Sequence, residues 1–281
     1  MKQYTQIKEI KEYLRKRQAS GARIGLVPTM GYLHEGHLSL IRRAVRETEI
    51  TVVSIFVNPI QFGPTEDLAK YPRDLERDLQ LIQEAGATVV FVPSVDEIYG
   101  EDYQTYVRVE KVTETLCGRS RPSHFQGVTT VVAKLLNIVR PDLAYFGQKD
   151  AQQAAVIKKM VKDLNMDVEI RVCPIVREAD GLAMSSRNAY LNAEERKQAV
   201  VLYQALTAAE DLIRQKEQDA SVVRQRMEEI IRSQPLATID YIAIVDAESL
   251  QEKMNISGAV LIAVAVKFGA TRLIDNMVME V

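Results

Sequence analysis

Five short runs in the first part of the chain, at residues 23–27, 50–57, 88–92, 143–146 and 168–172, are rich in Val and Ile and mostly apolar. A strand with one wet face alternates. A strand that is apolar throughout must be covered on both faces, as in a parallel sheet between two layers of helix. The intervals supply those layers. Residues 37–48, 67–85, 129–139 and 150–164 carry helical apolar spacing, Gly86 stops the second helix and Pro141 the third. This alternation specifies an α/β fold with a doubly wound, parallel, Rossmann-like sheet. The pattern changes near Pro174. Residues 173–192 form a loop-rich bridge, followed by helical stretches at 193–216 and 219–232 and strand runs at 239–245, 259–266 and 272–278. Helices followed by strands indicate a second, smaller α+β domain. The expected division is 1–175 for the larger domain and 176–281 for the smaller.

The 281 residues suffice for a substantial core, and the formal net charge of −2 gives no bulk attraction to nucleic acid or to an anionic membrane. Cys117 and Cys173 are the only cysteines, too few for a disulfide framework, so a reduced, cytoplasmic setting is expected. Residues 1–17 lack the uninterrupted apolar core of a signal peptide, and no apolar run is long enough to span a bilayer.

Residues 28–37, after the first strand, read Pro-Thr-Met-Gly-Tyr-Leu-His-Glu-Gly-His and open an amphipathic segment. A strand, a tight turn and a helix start form the expected setting of a nucleotide, because free N–H groups and the positive end of the dipole attract phosphate. His34 and His37 share one helical face and can both donate to phosphate oxygens, while Gly36 removes a side chain where a nucleotide could lie. The chain holds three histidines, and a metal site built from His34, His37 and the distant His124 is the alternative. The spacing does not fit a zinc protease. Neither G-x-G-x-x-G nor G-x-x-x-x-G-K-[ST] occurs, which disfavours dinucleotide oxidoreductases and P-loop NTPases.

Other clusters fall at strand ends, where open α/β sheets bind ligands. Asn58 and Gln61 follow the second strand, and their amides suit a hydroxyl or carboxylate. Lys149 follows the fourth strand and can meet a phosphate, Asp150 can cap a helix or accept from a ribose, and Gln152 and Gln153 lie on the next turn. In the bridge, Ser185, Ser186 and Arg187 form a flexible anion clamp. A basic loop from Arg119 and Arg121 to His124 could neutralise a polyphosphate.

An H-x-G-H turn with a later M-S-S-R loop resembles the nucleotidyl-transferring superfamily with "HIGH" and "KMSKS" signatures. The finer match lies in P-T-M-G-Y-L-H-E-G-H, F-V-N-P-I-Q-F, R-P-S-H-F-Q-G-V, F-G-Q-K-D-A-Q-Q and R-E-A-D-G-L-A-M-S-S-R-N, in that order. Together they resemble the pantothenate synthetase (pantoate–β-alanine ligase) family along the whole chain. The resemblance implies that pantoate attacks the α-phosphate of ATP to give pantoyl adenylate, and that β-alanine then displaces AMP. It implies an ATP site of Met30, Gly31, Tyr32, Leu33, His34, Glu35, Gly36, His37, Gly147, Gln148, Lys149, Asp150, Val176, Met184, Ser185, Ser186 and Arg187. It places Gln61 and Gln153 on pantoate and Gln61 beside β-alanine as well, with Gln148 where many members carry Glu. It also implies Mg2+ with ATP and a homodimer. The attacking carboxylate is already ionised, so adenylation needs charge neutralised rather than a base, and His34, His37, Lys149 and Arg187 are the candidates.

Two alternatives stand beside this reading. A nucleotidylyltransferase would join AMP to a phosphorylated acceptor. An RNA-binding adenylating module would need a basic face, which the charge argues against.

Overall fold

A computed structural model describes residues 1–64 and 66–281. The elements in order are β1 (Lys2–Tyr4), α1 (Ile7–Ala19), β2 (Ile24–Thr29), α2 (Glu35–Glu47), β3 (Ile50–Ile55), α3 (Leu75–Glu84), β4 (Val89–Phe91), α4 (Val95–Tyr99), α5 (Leu116–Ser120), α6 (His124–Val139), β5 (Leu143–Gly147), α7 (Ala151–Asp163), β6 (Glu169–Cys173), α8 (Ala193–Ala199), α9 (Val201–Arg214), α10 (Ala220–Arg232), β7 (Ala237–Asp246), β8 (Ala259–Phe268) and β9 (Thr271–Glu280).

The first six strands form one sheet in the order β1-β4-β3-β2-β5-β6, parallel at every pairing. The expected doubly wound sheet is therefore present. From β2 the chain moves outward through β3 and β4, then returns to add β5 and β6 on the other side. The reversal opens a crevice at the carboxyl ends of β2 and β5, where open α/β sheets bind ligands. β3 is buried along its length, whereas β6, at the edge, is only partly covered.

Four local expectations change. The sheet has a sixth strand: β1 (Lys-Gln-Tyr) has no apolar run and joins the edge by backbone pairing to β4. The helix expected over 67–85 begins at Leu75, because Pro72 cannot continue a ladder and Asp74 caps the new start by accepting from the Arg77 N–H at 3.2 Å. α6 starts at His124 rather than at 129. The helix expected over 193–216 divides at Val200, whose tightened backbone (φ −59, ψ −23) lets Ala199, Val201 and Leu202 all reach the core.

β7, β8 and β9 form a separate antiparallel sheet. Its two faces alternate by residue. Ile244, Ile262 and Val264 pack with α9 and α10, while Ala243, Val245, Leu261 and Ala263 join the core of the larger sheet. Both cysteines are buried and free.

Candidate active site

The turn after β2 is rigid for reasons that can be named. Gly31 (φ +80) and Tyr32 (φ +51) adopt left-handed backbone, and a Cβ on Gly31 would stand 2.9 Å from the Asp78 carboxylate. Asp78 needs that closeness. Buried on α3, it accepts from the N–H groups of Tyr32 and Leu33, both at 2.7 Å. The Thr29 hydroxyl donates to the Ser54 carbonyl at 2.8 Å and accepts from the Gly31 N–H at 3.2 Å.

α2 begins immediately afterwards, and two imidazoles cap it reciprocally. His34 Nδ1 accepts from the Gly36 N–H at 3.1 Å, and His37 Nδ1 accepts from the His34 N–H at 3.3 Å. The rings lie 4.1 Å apart, centre to centre. Burial, reinforced by the Lys149 charge, lowers His34 to about 4. Burial, then the neighbouring His34 and Lys149, holds His37 well below the ordinary histidine range. Both rings are therefore neutral near pH 7. With each Nδ1 accepting, the single proton of each ring sits on Nε2, so the pair presents two N–H donors and no local positive charge. Gly36 has a second role besides the one expected. A Cβ there would stand 2.8 Å from His34 Cε1, so the glycine makes room for the imidazole as well as lining the chamber that the two rings face. Gly147, whose Cβ would meet nothing within 4 Å, is the glycine that leaves an open floor.

These donors face a chamber of about 210 Å³ that also takes in Met30, Gln61, Gly147, Lys149, Asp150, Gln153, Val176 and Met184–Arg187. A second, larger chamber of about 790 Å³ lies between the two sheets and shares Lys149, Asp150, Gln153, Ser185 and Arg187 with the first. Five residues expected at the nucleotide line neither chamber. Gly31 packs on Asp78, Leu33 is in the core, and the Tyr32 ring lies against Arg77. Glu35 pairs with Arg42 at the surface, and Gln148 donates to Asn276 Oδ1 at 2.9 Å. The Tyr32 carbonyl does bear on the site, accepting from Ser186 Oγ at 3.3 Å.

The amides separate into holders and readers. Asn58 Nδ2 donates to Gln61 Oε1 and to the Gly127 carbonyl, both at 3.0 Å, and its oxygen accepts from Tyr99 at 2.7 Å. Buried and occupied in this way, Asn58 orients Gln61. Among the described residues Gln61 Nε2 meets only the Met30 sulfur, at 3.0 Å, a weak acceptor that leaves the amide available to a ligand. Gln152 is also structural, donating to the carbonyls of Val112 and Thr115. Gln153 opens onto both chambers.

The cations differ in freedom. Among the described residues Lys149 forms no ion pair, whereas Arg187 is bound in a bidentate pair to Asp67, 3.0 Å at each contact. In the basic loop Arg121 is held by Glu66 at 2.6 Å and lines the larger chamber, while Arg119 is exposed, 4.0 Å from Glu252. The three histidines do not converge on a metal. His34 and His37 face the smaller chamber and His124 the larger, and no group of three or more His, Cys, Asp or Glu among the described residues could hold an ion. No described helix is long and apolar enough to cross a membrane.

A model of the family described as pantoate-beta-alanine ligase matches residues 2–278. The chain belongs to that family. It is 60% identical over 275 residues to the pantothenate synthetase of Acetivibrio thermocellus, covering 98% of each chain, and 55% identical to that of Carboxydothermus hydrogenoformans, covering 100% of each. Among solved structures, the pantothenate synthetase of Thermus thermophilus superposes with a TM-score of 0.94 at 47% identity, covering 99% of each chain. The pantoate-β-alanine ligase of Francisella tularensis, described as complexed with β,γ-ATP and β-alanine, gives 0.80 at 34%, covering 99% of this chain and 97% of its own.

In this family member, the residues that hold the others in place lie outside the sequence motifs. Asn276 of β9 donates to the Gln148 carbonyl at 3.0 Å and the Lys149 carbonyl at 2.9 Å, fixing the turn that carries Lys149. Its neighbour Asp275 is buried in a bidentate pair with Arg177 at 2.6 and 3.0 Å. Asp78 had a readable signal. It falls between Leu75, Leu79 and Ile82 on the apolar stripe of α3, where a charge requires a buried partner.

Proposed function

We propose that this protein condenses pantoate with β-alanine at the expense of ATP, and that the chambers divide the work. The enzyme is an amide-forming, AMP-releasing ligase. Pantoate carboxylate attacks the α-phosphate and pyrophosphate leaves; the β-alanine amine then attacks the pantoyl carbonyl and AMP leaves. One observation carries the assignment of roles: the paired Nε2–H donors of His34 and His37 face the same chamber as Lys149 and Gln61. Fixed donors and a cation beside a carboxylate reader are what adenylation requires, since its barrier lies in charge developing on phosphate. In this reading His34, His37, Lys149 and Arg187 stabilise the phosphates, Gln61 and Gln153 hold pantoate, and Gly147, Val176 and Met184 shape the nucleotide's bed.

Mg2+ fits as ATP's companion. The Asp150 carboxylate makes no hydrogen bond among the described residues and opens onto both chambers, and Mg2+ is usually held by one or two carboxylates together with substrate phosphates. Bound there, Mg2+ would neutralise phosphate charge. The division into 1–175 and 176–281, a cytoplasmic location and a homodimer belong to the same reading; light scattering tests the last. The nucleotidylyltransferase alternative has no support in a whole-chain family match.

The test is to incubate the protein with ATP, Mg2+ and pantoate, with and without β-alanine. AMP and pyrophosphate are expected, and pantothenate only with the amine. Formation of ADP and phosphate would overturn the reading.

A further inference from the structure

The third histidine has the opposite tautomer from the other two. His124 Nδ1 lies 2.9 Å from the Gln61 carbonyl oxygen. A carbonyl only accepts, so Nδ1 carries the proton and Nε2 the lone pair. That Nε2 has no hydrogen-bond partner among the described residues, is not among the sealed, unpartnered polar atoms, and belongs to a ring lining the larger chamber. The placement is built in. His124 and Gly127 lie one turn apart on α6, and a Cβ on Gly127 would stand 2.5 Å from Gln61 Cα, so the helix presses its first turn directly onto the Gln61 turn. His34 and His37 thus offer N–H donors to the chamber of the phosphates, and His124 offers an acceptor to the adjoining one.

Amide formation needs such an acceptor. The free amine of β-alanine attacks the pantoyl carbonyl, and its nitrogen becomes cationic and acidic as the C–N bond forms. We propose that His124 Nε2 takes the proton this nitrogen sheds, from the larger chamber, an inference that rests on the two-step reading above. The C–N bond forms, the acyl C–O electron pair departs with AMP, and the imidazolium returns its proton to water. Burial, together with the Arg121 charge and against the pull of the Gln61 carbonyl, Glu66 and Asp150, lowers His124 to about 4. The ring is therefore neutral, its lone pair free, near pH 7.

The test separates the half-reactions in His124→Asn and His124→Ala. The asparagine amide can still donate to the Gln61 carbonyl but has no lone-pair nitrogen. Pantoate-dependent exchange of labelled pyrophosphate into ATP, run without β-alanine, is expected to stay within about twofold of wild type, while aminolysis of the preformed adenylate by β-alanine slows by about 10²-fold. With hydroxylamine, whose adduct releases its proton more readily, the defect should shrink to less than about tenfold, and added imidazole should restore part of the rate in His124→Ala. Loss of exchange in His124→Asn would mean that the residue only supports Gln61 and would overturn the proposal. Unchanged aminolysis, or an equal defect with both amines, would also overturn it. Absence of pantoate-dependent exchange in the wild type breaks the two-step reading itself and takes the proposal with it.

Discussion

The histidine turn and the Ser185–Arg187 bridge both bring nitrogen donors to the smaller chamber, but they are held in opposite ways. His34 and His37 are fixed by backbone groups of their own helix start, over a turn that Asp78 closes from behind. Nothing need move for them to donate. Arg187 is fixed by Asp67, a carboxylate on a different loop, and Ser186 by the Tyr32 carbonyl. To meet a phosphate, Arg187 must exchange one anion for another. The first arrangement is preorganised, which is how an active site stabilises developing charge without reorganising. The second is a contact in waiting, suited to an element that closes after substrate binds.

The largest expected effect lies on the preorganised side. His37→Ala removes a donor and uncaps the His34 N–H, and should slow adenylation by roughly 10²–10³. The fold should survive, because His37 lines the chamber. Single-turnover formation of pantoyl adenylate is the measurement, and a near-normal rate in a folded variant breaks the comparison. Arg187→Ala comes next, removing a charge-assisted contact worth ~1.5–3 kcal/mol. If that contact forms late, the adenylation rate should fall more than ATP affinity does. Asp67→Asn sharpens the point from the other side. Releasing Arg187 from its ion pair should tighten ground-state ATP binding. A loss of affinity in full proportion to rate in Arg187→Ala would show a rigid ground-state contact and end the distinction.

A third effect is smaller and specific to one substrate. Gln61→Ala and Gln153→Ala should raise the pantoate KM more than the ATP KM, because the free amide of Gln61 and the open face of Gln153 lie beside, rather than among, the phosphate donors. Steady-state titration of each substrate decides it, and equal shifts in both constants count against the assignment.

What the sequence disclosed follows the same divide. Residues that act through short-range order were readable: the His34–His37 turn, Lys149 at a strand end, and five of the six strands of the sheet. Residues that act through tertiary contact were not. β1 has no periodicity of its own and exists because the β4 edge offers backbone partners. Asp67 reads as one more surface acid until the fold places it on Arg187. Asn276 lies on a strand far along the chain and matters because β9 docks on the Lys149 turn. The tautomer of His124 was hidden for the same reason, since it is set by the carbonyl of Gln61, 63 residues away along the chain, whereas those of His34 and His37 are set within their own helix start.

Those tautomers lead to the smallest expected change in rate and the clearest test of what the turn is. If His34 and His37 worked as cations, adenylation would decline as pH rises through about 6.5, the ordinary histidine value. As neutral Nε2–H donors they should support an adenylation rate that holds level through that range, measured by single turnover with saturating ATP and pantoate. The cost of neutrality appears instead in stability. An unfolded chain takes up protons on these rings near 6.5, while the folded one resists until about 4 at His34 and His124. The unfolded state then binds more protons, so stability must fall as pH drops between those values, with no contribution from these groups above them. Urea unfolding followed from pH 7 to pH 4 should show that decline, and it should be shallower in His124→Asn, which has one titrating ring fewer. A rate that falls as pH rises past about 6.5 would instead mean that an imidazolium meets the phosphate, and the turn would be a charged clamp of the same kind as Arg187.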